Sequence, residues 1–162
     1  MGLVIAFWIL AVVGILAALG VVLLRNVFRA ALSLVLCFLA VAGIYVTLSA
    51  DFLAAVQVLI YVGAIAVLIV LAIMLTREVQ HGSPATRLKV PAFIIAVLFF
   101  VAVTFAILNT PWSISSVTPH EPTTVALADR LFGEGGFILP VEIGAALLLA
   151  AVLGAISLVR EK

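Results

Sequence analysis

The chain has 162 residues, 67% of them hydrophobic and only 9% charged, with a formal net charge of +1. A water-soluble domain of this size cannot hide so much apolar surface, so the composition excludes the soluble classes and implies an integral membrane protein. Nucleic acid is excluded as a partner, because no basic patch is present to neutralise phosphates in number.

In lipid every backbone group must be satisfied internally, which leaves helices or a closed barrel. The apolar runs are continuous rather than alternating, so helices are expected. The first run, Leu3–Leu24, has no Lys or Arg ahead of it and is too long for the core of a signal peptide. Ala6 stands where a myristoylation signal wants Ser or Thr. The run is therefore read as a membrane span. A second follows over Ala30–Ser49, with the single Cys37 in mid-span as a small hydrophobe.

The third run, Phe52–Thr76, is long enough to cross a bilayer, which takes about 20 apolar residues. It also carries Gln57, Tyr61 and Gly63. An amide and a phenol inside hydrocarbon are costly and mark a surface that faces protein or water. Gln57 donates and accepts hydrogen bonds but cannot titrate, and as inter-helix glue it is worth about 0.6 kcal/mol. Gly63 weakens a helix interior by roughly 1 kcal/mol relative to alanine. A single-turn π-bulge is one way to use that slack, and such bulges cluster at functional sites.

The remaining spans are Ala92–Leu108 and Phe137–Val159, which makes five. Short connections make the first three antiparallel neighbours. The chain reads as a single membrane domain over residues 1–162, with a hydrophilic connection, Thr76–Pro91, and a longer one, Asn109–Gly136. In the longer one Thr124 is placed to cap a short helix over 125–132 and Gly133 to end it. Val125, Ala128 and Phe132 would form its apolar face, with Asp129, Arg130 and Glu134 toward water.

Basic residues orient the chain. Arg25, Arg29, Arg77, Arg87, Lys89, Arg160 and Lys162 fall on one side of a five-span arrangement and only Arg130 on the other. The positive-inside rule then puts the N-terminus outside and the C-terminus in the cytoplasm. Small residues recur four apart at Gly14 and Ala18, and at Ala146, Ala150 and Gly154, a spacing that lets helices approach. Glu142 is the one carboxylate at the edge of an apolar run. It reads either as a first-turn carboxylate favoured by the helix dipole, with Pro140 opening the helix, or as a polar partner within an assembly. Asp51, His81, His120 and Glu121 read as solvated residues of loops and span ends. No nucleophile–base pair, phosphate loop or metal-ligand spacing is visible.

The segment Phe52-Leu-Ala-Ala-Val-Gln-Val-Leu-Ile-Tyr-Val-Gly-Ala-Ile-Ala-Val-Leu68 resembles the third-helix signature of subunit J of the proton-pumping NADH:quinone oxidoreductase, respiratory complex I. The stretches Ala126-Leu-Ala-Asp-Arg-Leu-Phe132 and Leu139-Pro-Val-Glu-Ile-Gly144 are similar to the same family. The resemblance implies a non-redox membrane subunit of the bacterial plasma membrane that couples quinone reduction to proton translocation. Its partners would be the quinone-site and antiporter-like subunits and the bilayer. Flavin mononucleotide, iron–sulfur clusters and quinone would lie elsewhere in the complex, with no cofactor in this chain. The family's third helix carries a π-bulge thought to gate a water path. Carried over, this points to Tyr61 and Gly63, with Gln57 a turn before and Val67 beyond; some members have a glutamate where this chain has Gln57. Three alternatives stay open: the same subunit in a complex fed by ferredoxin or another donor, a small self-contained transporter or channel, and a structural assembly protein. Against a transporter stand the missing internal repeat and the missing midplane charges.

Overall fold

The computed structural model describes residues 1–76, 89–112 and 123–160. Arg77, His81, Arg87, His120, Glu121 and Lys162 fall outside them, as does the side chain of Lys89. Among the described residues every regular element is helical, and five helices are long and apolar enough to span a membrane. They are α1 (Gly2–Leu23), α2 (Val27–Thr47), α3 (Asp51–Leu75), α4 (Lys89–Asn109) and α6 (Leu139–Arg160). The shorter α5 runs over Thr123–Phe132.

Helix ends depart from the apolar runs where polar residues cap them. The second span begins at Val27 rather than at Ala30, because Asn26 Oδ1 accepts the Arg29 N–H at 3.2 Å. A hydropathy reading stops at Arg29; the backbone does not. At the far end of α2 the Ala50 N–H donates to Tyr45 O at 2.9 Å and the Ser49 N–H to Val46 O at 3.1 Å. That pair of bonds is a Schellman motif, with Ser49 left-handed at φ 56° where glycine is usual. It reverses the chain within three residues and sets α3 against α2. The end of α4 is closed by side chains: Asn109 Nδ2, Thr110 Oγ1 and Trp112 Nε1 donate to the carbonyls of Phe105, Ala106 and Ile107. The Ala106 carbonyl also accepts the Thr110 N–H at 3.1 Å, and Trp112 is the residue type that settles at a membrane interface.

Helix α2 is the centre, with α1 on one side and α3 on the other. The α1–α2 seam is close. A Cβ added at Gly14 would lie 3.5 Å from Ala40 Cβ, one at Gly20 2.8 Å from Ser33 Oγ, and one at Gly43 2.8 Å from Leu10 Cδ1. Partner numbers fall on one helix as they rise on the other, so the two run antiparallel. The small-residue face of α1 is Gly14, Ala17 and Gly20; Ala18, expected to share it, is exposed. Ala146, Ala150 and Gly154 are exposed, and a Cβ added at Gly154 would touch nothing within 4 Å. Neither α4 nor α6 buries any described residue.

Helix α5 begins at Thr123, so Thr124 is inside it rather than capping it. Gly133 ends it, its N–H bonded to Asp129 O at 2.9 Å. The inward face is Thr123, Leu127 and Leu131, spaced by four, and it meets the start of α3. Val125, Ala128 and Phe132 are exposed. The face toward α3 is thus a second one, beside the expected apolar face Val125, Ala128 and Phe132, which stays open on the surface.

Candidate functional site

Helix α3 changes its winding twice. Asp51–Val56 is α-helical, Gln57–Ala66 is a π-helix and Val67–Leu75 is α-helical again. A π-helix bonds each N–H to the carbonyl five residues back and is rare, mostly confined to single turns. Ten residues of it in mid-span is far longer than a one-turn bulge at Tyr61–Gly63.

Local sequence makes this affordable. Val58, Ile60, Val62 and Ile65 are β-branched and only moderate α-formers. Gly63 lies five residues after Val58, and a Cβ added there would stand 3.4 Å from the Val58 carbonyl oxygen. Glycine leaves that carbonyl uncrowded where the winding is widest.

The polar residues of the segment occupy two settings. Gln57 is 7% exposed, the one buried polar residue among those described. Side-chain hydrogen bonds among the described residues involve Asn26, Thr47, Thr76, Thr104, Asn109, Thr110 and Trp112, and not Gln57. Toward the described residues its amide donors and acceptor are thus unengaged. Tyr61 is 42% exposed and sets its ring edge-on against Phe38 of α2, centroids 5.5 Å apart at 72°. Val67 is 51% exposed at the first α-helical position beyond the π segment. An amide and a phenol can hold water or a neighbouring polar group.

Glu142 is apart from these residues. It lies exposed in the first turn of α6, where the helix dipole favours a carboxylate. Asp51 is likewise exposed in the first turn of α3. Cys37 is half-buried on α2 and unpaired. Two members of the site carry no sequence signal. Phe38 lies in another span, and Ala66, 1% exposed, is one alanine among many.

Residues 17–158 match the family model described as NADH-ubiquinone/plastoquinone oxidoreductase chain 6. The chain belongs to this family. Its chain 6 relatives include the NAD(P)H-quinone oxidoreductase chain 6 of Leptolyngbya boryana, 40% identical over 98% of this chain and 80% of the relative. The chain of the same name in a Synechocystis strain is 43% identical over 97% of this chain and 80% of its own length. The F(420)H(2) dehydrogenase subunit J of Methanosarcina mazei is 37% identical over 95% and 89%. The family match covers the whole of α3, the stretch Gln57–Ala66 included.

Proposed function

We propose that this chain is a non-redox membrane subunit of a proton-pumping quinone oxidoreductase and couples quinone reduction to proton translocation through α3. The observation that carries the reading is the π segment Gln57–Ala66 in the middle of a span, with a buried amide and a central phenol. A helix with one residue wound in excess differs from a regular helix by about 100° of rotation in everything beyond that residue. Interconversion would swing Val67 and the residues after it toward or away from a hydrated path. Gln57 and Tyr61 line that path as hydrogen-bonding groups, and Gly63 supplies the flexibility. Glu142 acts as a polar partner toward a neighbouring subunit at the outer surface. Quinone-site and antiporter-like subunits are its neighbours, and flavin, iron–sulfur clusters and quinone are carried by other subunits. The membrane is the bacterial plasma membrane, with the N-terminus outside. Arg25 and Arg29 at the α1–α2 connection and Arg160 at the end of α6 support that orientation. Thiol labelling tests it: Glu134→Cys should react from outside sealed cells and Thr76→Cys should not; the reverse pattern would reject it.

A donor other than a nicotinamide is an equally open arrangement at the complex level. The relative from Methanosarcina mazei bears the name F(420)H(2) dehydrogenase, while the cyanobacterial ones are named for NAD(P)H. Relatives of such similar sequence under different donor names support a chain that takes no part in choosing the donor.

The decisive variant is Gly63→Val in the assembled enzyme. A branched side chain beside the Val58 carbonyl should resist rewinding. Electron transfer from the donor to a soluble acceptor should be unchanged, while quinone reduction coupled to pumping falls several-fold. Normal pumping rate and stoichiometry in the fully assembled variant would reject the gating role.

A further inference from the structure

The buried side of α3 falls out of step with a regular helix at one place. Ala54 and Gln57, three apart, are both buried. The next residue withdrawn from the surface is Val62, five further on, and then Ala66, four beyond that. A regular helix brings a face round every three or four residues. The excess residue therefore lies between Gln57 and Val62. Ala66 is the least exposed residue of the segment, at 1%, and α2 is the separate helix that packs along Gln57–Ala66. On α2, Phe38 shares a stripe with Ala31, Val35 and Ala42, of which the two alanines are buried. Alanines on both helices bring the backbones close and leave little room between them.

Winding out the excess while Gln57 stays in place would advance the α2-facing positions by one residue. Tyr61, already edge-on to Phe38, would turn further in to the place of Val62, and Ile65 would replace Ala66. Ile65 is 38% exposed at present and carries three more carbons than alanine. Protein interiors are close-packed and resist added methylenes. The slot that accepts Ala66 therefore rejects Ile65, and the wide register is selected by one small and one bulky residue side by side.

We propose that Ile65 and Ala66 set the register of α3, holding Gln57–Ala66 in its π form by making the competing α-helical register overpacked against α2. The assignment is structural, and its consequence for pumping rests on the gating reading. The test exchanges the two residues, Ile65→Ala with Ala66→Ile, in the assembled complex. Electron cryomicroscopy then counts particles with a regular or a π-wound α3. The ratio of regular to π-wound particles should rise on the order of tenfold over the unmodified enzyme. Ile65→Ala alone removes the clash without adding bulk at residue 66, and should move the ratio several-fold in the same direction. That variant carries the test if the exchange prevents assembly. An unchanged ratio in Ile65→Ala and in any assembled exchange variant would overturn the assignment. An exchange variant held in the regular register that still pumps with normal stoichiometry would uphold the assignment and reject the gating reading.

Discussion

The two faces of α2 meet their neighbours in opposite ways. Toward α1 the contact is glycine against side chain at three successive levels, and both helices are regular from end to end. Toward α3 the contact is made through alanines, an aromatic pair and a helix that changes winding in mid-span. On the gating reading proposed above, α2 would be a fixed wall toward α1 and a bearing toward α3. Rigidity would come from leaving no alternative register, and pliability from two registers that differ by a few methylenes.

Substitutions on the two faces should separate these properties. Gly43→Leu drives a side chain into Leu10 and should destabilise the chain by about 1–3 kcal/mol. The readout is the amount of assembled complex and its thermal midpoint in detergent. By contrast Gly63→Val should leave that midpoint nearly unchanged while pumping fails. A Gly63→Val enzyme as unstable as the Gly43→Leu one would erase the distinction between the faces. Leu127→Ala loosens α5 from the start of α3 and should cost about 1 kcal/mol, because this side chain is only partly buried. Trp112→Phe removes the hydrogen bond to Ile107 O and should cost about 0.5–1 kcal/mol at a site remote from either face. Ser49→Gly relieves the left-handed residue between α2 and α3. It should raise stability by about 0.5 kcal/mol once the added chain entropy of glycine is subtracted. A loss of stability there would mean that the serine side chain contributes more than its backbone conformation costs.

The five spans were legible because their length and continuity are set by the bilayer and written directly in composition. The ends were not, since Asn26 and Lys89 lie inside or at the edge of helices that an apolar count stops short of. For α5 the sequence shows the amphipathic helix and the exposed apolar residues Val125, Ala128 and Phe132, but not that Thr123, Leu127 and Leu131 turn toward the protein. At the site, Gln57, Tyr61 and Gly63 stood out by residue type. The extent of the π segment did not. Winding shows itself as a change in the spacing of buried positions, and apart from Tyr61 the residues Val58–Ala66 are apolar, so little polar contrast marks the step from Gln57 to Val62. Val67 was drawn in by the family motif rather than by its own chemistry, and Ala66 beside it carries no signal of any kind.

The bare flanks of α4 and α6 have a consequence for biosynthesis. Neither span buries a described residue, while α1, α2 and α3 already hold one another. The first three spans have what they need to settle as they are inserted. The last two, which bury no described residue, would wait for other subunits to dock on. A copy made in excess should therefore be an orphan with two loose spans, open to membrane quality-control proteases. Pulse-chase labelling should find the chain short-lived when the other subunits are not co-expressed, and long-lived when they are. Equal lifetimes in the two conditions would mean that the loose spans find a resting place of their own.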